Sequence, residues 1–438
     1  MEELTKGLEW LANVMWGPPT LILLVGTHVY LTFRLRFIQR FMPRAIRISL
    51  ERGAEGEGDV SQFAALSTAL AATIGTGNIV GVGTAIAAGG PGAVFWIWVT
   101  GVFGIATKYA EALLAVKYRI RSADGTMAGG PMYVLERGMN NRFLAIMFAA
   151  FTALTALGIG NAVQSNSVAT LAHEQFGISA WITGAVLTVL TAAVILGGIR
   201  SIGKVCEYLV PFMAIFNIVG SLIILAMRWD TIPETISLIV SSAFTGHAAV
   251  GGFVGAGMRE AMRYGVARGL FSNESGLGSA AIVAAAAQTK DPVRQALVSA
   301  TGTFWDTVVM CAITGLVFVN SGAWTRGLTG SQLSAAAFGD IPVVGPIVLT
   351  VGLLTFVFAT LIGWSYYGEK ACEYLFGIRS VMPYRWLWVV FVMVGSVLPM
   401  PLVWALSDIT NALMALPNLI SLLYLTHVVV EETRKDLW

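Results

Sequence analysis

The sequence predicts an all-α polytopic membrane protein: eleven transmembrane helices, arranged as a five-plus-five inverted-repeat core behind one extra N-terminal helix. Three observations predict it. Of the 438 residues, 56% are hydrophobic and only 12% charged, about half the charged fraction of a soluble domain. Apolar runs able to cross ~30 Å of hydrocarbon recur along the whole chain. Lysine and arginine concentrate in alternate loops, as the positive-inside bias requires.

The runs fall at 17–34, 61–89, 91–117, 142–172, 180–199, 205–228, 250–288, 292–320, 344–376, 384–400 and 402–429. The first follows the acidic Glu2 and Glu3 and lacks a small-residue cleavage site, so it reads as a retained membrane helix. The loop after it carries Arg34, Arg36, Arg40, Arg44, Arg47 and Arg52 and is placed in the cytoplasm. Alternating sides then leave only Lys6, Arg228, Arg259, Arg263, Arg268 and Arg326 outside, with the rest of the 27 Lys and Arg inside. The N-terminus is expected outside and the C-terminus cytoplasmic.

Two runs contain glycine breaks. One reads Thr73-Ile74-Gly75-Thr76-Gly77-Asn78, the other Phe271-Ser272-Asn273-Glu274-Ser275-Gly276-Leu277-Gly278. Backbone at membrane depth must be paired, so an interrupted helix there lines a cavity or a site. With the first run set aside, the broken runs are the first and sixth of ten. Five helices per half puts the halves in opposite orientation, an inverted repeat. The expected divisions are 1–60 (extra helix and basic loop), 61–228 (first repeat), 229–429 (external helix and second repeat) and 430–438 (cytoplasmic tail). Residues 121–141 read as a segment on the cytoplasmic face, and Asp230-Thr231-Ile232-Pro233-Glu234 as the start of a short external helix over 229–249.

Unwinding at Gly75–Asn78 frees N–H groups at the start of the outer half-helix, where the dipole suits a carboxylate. Carbonyls near Ala71 and Ile74 are left for a cation. Thr76 and Asn78 add side-chain oxygens, while Gly81 and Gly83 read as a packing face. At the second break, the carbonyls of Phe271 and Ser272 suit an ammonium, with Phe271 as a wall. Glu274 reads as charge partner, cation ligand or gate, or as a solvated turn residue. Gln164 shares a face with Asn161 and is expected to reach the pocket; Asn161 reads equally as interhelical glue. Thr360, Trp364 and Ser365 form another candidate face. A Thr360 hydroxyl meeting the carbonyls of Ala71 and Ile74 would add the oxygens that a small hard cation wants. Lys108 and Glu111, at i and i+3, read as a pair near the cytoplasmic end, and Asp306 and Glu207 as functional or structurally paired.

Other classes lose their parts. Cys206, Cys311 and Cys372 are scattered in apolar helices, and His28, His173, His247 and His427 are isolated. No disulfide framework, metal spacing or nucleophile–base motif stands in the chain. A net charge of +2 gives nucleic-acid binding no support.

Three blocks carry a resemblance. Gly75-Thr76-Gly77-Asn78-Ile79-Val80-Gly81-Val82 with Gly89-Gly90-Pro91-Gly92-Ala93 and Lys108-Tyr109-Ala110-Glu111 is the first. Arg268 to Ala280 is the second, and Gly363-Trp364-Ser365-Tyr366-Tyr367-Gly368-Glu369 the third. Together they resemble the alanine or glycine:cation symporters over essentially the whole chain. The resemblance implies a leucine-transporter type of fold and sodium-coupled uptake of alanine, in some members glycine. On the residues here, the expected substrate site is Thr73, Gly75, Thr76, Gly77, Asn78, Gln164, Phe271, Ser272, Asn273, Gly276 and Trp364. The expected sodium ligands are Ala71, Ile74, Thr360 and Ser365. No cofactor beyond the coupling ion, no enzyme activity and no obligate protein partner are expected, and the location is the cell (inner) membrane. Proton coupling through Glu274 or Asp306 is the alternative; a channel is the weaker one.

Overall fold

The computed structural model describes residues 2–51, 56–245, 257–328, 330–398 and 401–438. Apart from one small hairpin, its regular elements are helical. α1 (Glu2–Met15) turns at Gly17 into α2 (Pro18–Arg34), whose prolines sit where a missing N–H costs nothing. α3 (Met42–Ser49) follows the basic loop. The first broken helix is α4 (Gln62–Thr73) and α5 (Val82–Gly89), with a 51° bend between them. Ser61 caps α4, accepting the Ala64 N–H at 3.0 Å, and itself donates to Glu207. That places Glu207 in a helix cap.

α6 (Gly92–Lys117) leads into the hairpin β1 (Ile120–Arg121) and β2 (Met127–Ala128), then α7 (Pro131–Tyr133). α8 (Arg142–Thr155) and α9 (Val163–Phe176) form one span through a π turn at Ala156–Ala162. α10 (Ala180–Ile195) and α11 (Gly198–Ala226) close the first half. α12 (Ile232–Thr245) falls where a short helix is expected over 229–249 and packs on α6, where Trp96 donates to the Ala243 carbonyl at 3.2 Å.

The second broken helix is α13 (Met258–Asn273) and α14 (Ser279–Ala284). α15 (Pro292–Thr303) and α16 (Ala312–Asn320) are joined by a π turn at Phe304–Cys311. α17 (Gly330–Gly339), α18 (Val344–Phe376), α19 (Val381–Val397), α20 (Pro401–Tyr424) and α21 (Thr426–Leu437) complete the chain.

Among the described residues, eight helices are long and apolar enough to cross a membrane, and nine if the bent α4–α5 pair counts as one span. The shorter α10 and the arginine-bearing α13–α14 pair fall outside that set. Arg52, His247 and the first residues of the expected 250–288 run lie outside the described residues. That run also ends early. Alanines favour helix, yet after Ala284 the helix ends in a turn, and Ala287 and Thr289 form bridges with Val60 and Glu57. Ala286 accepts N–H groups from Asp59 (2.8 Å) and Val60 (3.3 Å), and Gln288 donates to the Val60 carbonyl at 2.8 Å. Long-range pairing overrides local propensity here. Residues 430–437 of the expected tail lie in α21.

This pairing ties the N-terminal end of α4 to the C-terminal end of α14. Arg119 reinforces it, donating to the carbonyls of Glu57, Ala285, Ala287 and Thr289 at 2.8–3.0 Å.

Candidate functional site

The first break is built by a diverted hydrogen bond. In an unbroken helix the Gly75 N–H would bond to Ala71. Here it donates to Asn78 Oδ1 at 2.9 Å, which releases the Ala71 carbonyl. The Asn78 N–H returns to the Gly75 carbonyl at 3.2 Å, so the Ile74 carbonyl also loses its i+4 donor. Thr76 and Gly77 then present first-turn N–H groups with no intrahelical acceptor.

Thr360 of α18 reaches this point. Its hydroxyl donates to Phe356 at 2.9 Å and stands 3.5 Å from the Ile74 carbonyl. A methyl placed on Gly75 would lie 2.7 Å from that hydroxyl and 3.9 Å from Gln164 Oε1. Gln164 donates to Thr76 Oγ1 at 3.4 Å and to Ile159 at 3.1 Å, while its Oε1 is buried without a donor. A methyl on Gly77 would touch the Phe271 ring and the Ser272 Cα at 3.4 Å. Gly75, Thr76, Gly77, Gln164, Phe271, Ser272, Ile74 and Thr360 therefore converge from four helices.

The second break is organised by a residue the sequence reading assigned elsewhere. Glu111 Oε1 accepts the Gly276 N–H at 2.9 Å, the Gly278 N–H at 3.0 Å and Asn418 Nδ2 at 2.7 Å. Asn273 Oδ1 takes the Ser275 N–H at 2.9 Å. With the Ser275 and Gly276 N–H groups diverted, the carbonyls of Phe271 and Ser272 lose their i+4 donors. Gly276 (φ +92°) and Gly278 (φ +83°) need the left-handed region, and a Cβ on Gly276 would lie 2.6 Å from Leu24. Glu274, not a glycine, is also held there at φ 55°, its carboxylate taking the Ser279 hydroxyl at 2.5 Å.

The expected Lys108–Glu111 pair does not form. Glu111 is drawn to the freed N–H groups, and Lys108 Nζ is buried without a hydrogen-bond partner. Lys108 lines a small cavity with Thr73 and Ser299. Its charge acts on Glu111, Glu274 and Asp306 together.

Asn78 and Ser272 meet a third carboxylate. Asn78 Nδ2 donates to Asp306 Oδ1 at 2.7 Å, and Ser272 and Thr307 donate to Asp306 Oδ2 at 3.0 and 2.6 Å. Both ends of the Asn78 amide are thus held by protein. Asp306 lies within a π turn, as does Asn78 (Gly77–Gly81), and Gln164 follows one. Such turns concentrate at functional sites because they re-aim side chains.

Other expected site residues lie differently. The Thr73 hydroxyl bonds back to Ala69 and Leu70 in its own helix, and the residue faces the Lys108 cavity. Gly276 has both backbone groups engaged, its carbonyl by Asn418 at 2.9 Å. Trp364 packs against Gly160 and Tyr367 and lies beside Glu274. Ser365 bonds to Ile362 at 2.7 Å; five residues past Thr360, it points about 140° around α18. Asn273 Nδ2 is buried and unbonded. Asn161 is interhelical glue, donating to the Trp388 carbonyl at 2.9 Å.

Paired helix breaks that meet at Gly77 and Ser272, freed N–H and carbonyl groups at each, and a hydroxyl beside the released Ile74 carbonyl define a helical membrane transporter. A sodium:alanine symporter family model matches residues 1–436, and the chain belongs to that family. It is 51% identical over 433 residues to the sodium/alanine symporter AgcS of Methanococcus maripaludis, covering 96% of this chain and 95% of that protein. It is 35% identical over 435 residues to a probable sodium/glutamine symporter, GlnT, of Bacillus subtilis, covering 98% and 90%. The crystal structure of MhsT in complex with L-phenylalanine superposes with a TM-score of 0.62 at 14% identity, over 86% of this chain and 93% of that one. That likeness is one of fold.

Proposed function

We propose that this protein is a sodium-coupled symporter that imports small amino acids, alanine and also glycine, across the cell membrane by alternating access. The supporting observation is the meeting of the two breaks, with Gly77 against Phe271 and Ser272. The substrate carboxylate binds the N–H groups of Thr76 and Gly77, and its ammonium the carbonyls of Phe271 and Ser272, with Gln164 Oε1 beside them. Sodium sits between the carbonyls of Ala71 and Ile74 and the Thr360 hydroxyl. Asn78 and Asn273 act by shaping the breaks. Gly75 lies close against Thr360, and Gly77 close against Phe271 and Ser272, which leaves little room for a large substrate side chain.

This reading keeps eleven spans, an inverted five-plus-five core behind one extra N-terminal helix, with the N-terminus outside and the C-terminus cytoplasmic. Binding of both ligands biases the rocking of one helix group against another.

The test is alanine uptake into proteoliposomes with and without an inward sodium gradient. Gradient-dependent uptake is expected. Equal uptake in both overturns sodium coupling, and uptake that follows pH instead points to Glu274 or Asp306 as a proton carrier.

A further inference from the structure

α2 ends at Arg34, and the chain then makes a turn that costs energy to hold. Arg36 (φ 50°) and Phe37 (φ 58°) both lie in the left-handed region, which side chains resist. Hydrogen bonds fix the turn. The Phe37 N–H donates to the Thr32 carbonyl at 2.8 Å and the Arg40 N–H to the Phe37 carbonyl at 3.0 Å. Gln39 donates to the Thr32 hydroxyl and to the Val102 carbonyl, each at 3.0 Å. Backbone strain held this firmly points to a segment with a task.

The turn presents two chemistries side by side. Phe33 and Phe37 stand edge to face at 5.2 Å and remain 61% and 51% exposed. Beside them Arg34, Arg36, Arg40, Arg44 and Arg47 are all exposed. α3 buries Met42, Ala45 and Ile48, which turns Arg44 and Arg47 outward. From Arg34 to Leu50 the chain holds no Asp, Glu or Lys. Among the described residues, no ion pair within 4.0 Å engages any of the five arginines. Glu51, the next acid along the chain, is taken by Arg294 of α15 at 2.7 Å. Asp436 feels the charge of Arg44 without pairing with it. Arg36 lies over the Trp438 ring, 4.5 Å from its centre.

This surface begins where a helix long and apolar enough to cross a membrane ends. Unpaired guanidinium groups next to exposed aromatic rings suit a ligand that carries a phosphate beside an apolar body. Guanidinium matches phosphate with parallel hydrogen bonds, and aromatic rings settle where headgroups meet acyl chains. A nucleic acid or an acidic protein would meet the charge and leave Phe33 and Phe37 uncovered. We propose that this surface binds an anionic phospholipid. Arg34, Arg40, Arg44 and Arg47 hold the headgroup phosphate, and the acyl chains start along Phe33 and Phe37. The strained turn keeps the two halves of the site together. The assignment does not depend on the symporter reading.

Native mass spectrometry of the full-length protein tests it, with phosphatidylglycerol or phosphatidylcholine of the same acyl chains as the probe. Phosphatidylglycerol is expected to bind at least tenfold more tightly. Combining Arg40→Gln, Arg44→Gln and Arg47→Gln is expected to cut that preference to about twofold or less, since each arginine near an anionic lipid is worth about fivefold. Combining Arg137→Gln, Arg142→Gln and Arg379→Gln removes the same charge from exposed positions elsewhere and should leave the preference intact. Lysine at 40, 44 and 47 keeps the charge and loses the planar fork, so it should weaken phosphatidylglycerol about threefold. Phe33→Ala with Phe37→Ala should weaken both lipids and keep the preference between them. No preference for phosphatidylglycerol, or an equal loss in the two glutamine triples, overturns the site. Displacement of the lipid by inorganic phosphate would make free phosphate the ligand, and displacement by a polyglutamate peptide an acidic protein. Either result overturns the lipid assignment.

Discussion

Glu111 on α6 and Gly278 at the second break are joined by a 3.0 Å hydrogen bond across 167 residues of sequence, and the same oxygen also holds the Gly276 N–H. One carboxylate therefore satisfies two N–H groups that unwinding orphans in a place with no water to replace it. Glu111→Ala is expected to lower stability by on the order of 3 kcal/mol, from the loss of charge-assisted bonds to buried donors. Glu111→Gln is expected to lose less. Thermal melting of purified protein checks both, and a Glu111→Ala melting temperature equal to wild type counts against the assignment.

Thr360→Val keeps the shape of the side chain and removes the hydroxyl 3.5 Å from the Ile74 carbonyl. The apparent sodium affinity should fall about tenfold, the equivalent of 1.4 kcal/mol. Alanine affinity at saturating sodium should change little. Sodium titration of alanine uptake measures this, and an unshifted curve removes Thr360 from the cation site.

Arg119 binds four carbonyls on the two segments that end α4 and α14. Arg119→Ala should free α4 and α14 from each other. A cysteine at Thr73, between α4 and the Lys108 cavity, should then label faster from the cytoplasmic side of inside-out vesicles. Unchanged labelling would mean that the clamp does not hold the inner face shut.

Asp59, in the loop before α4, is half-buried and accepts the Met127 N–H at 2.8 Å. Burial is the largest influence on it and raises its pKa above the ordinary aspartate value. A raised carboxylate pKa means that the folded state binds the proton more tightly than the unfolded state. Ionised Asp59 therefore weakens the fold, and the penalty appears as pH rises above the unfolded value of ~3.9. Asp59→Asn should match wild type in acid and melt higher than wild type near neutral pH. Equal melting temperatures across the range would reject this.

The membrane class, the helical architecture and the position of both breaks are legible in the sequence, because a bilayer writes strict rules into composition. Apolar length, loop charge and glycine at an interruption are local signals. Gly75, Gly77, Phe271 and Thr360 carry such signals and are found together. Glu111 could not be placed, because its partners lie 165, 167 and 307 residues away, and its spacing to Lys108 suggested a local pair. Asn78 looked free for ligand, but Asp306 and the Gly75 N–H take up both ends of its amide. Ala285–Ala287 reads as helix, but α14 stops at Ala284, and this stretch turns to meet Asp59, Val60 and Arg119. Sequence alone determined that the backbone must open at two places. Tertiary structure decided which side chains satisfy the opened groups and which N–H and carbonyl groups remain for a ligand. Hydrogen bonds in a water-poor interior go to whichever partner packing brings within about 3 Å, whatever the separation along the chain.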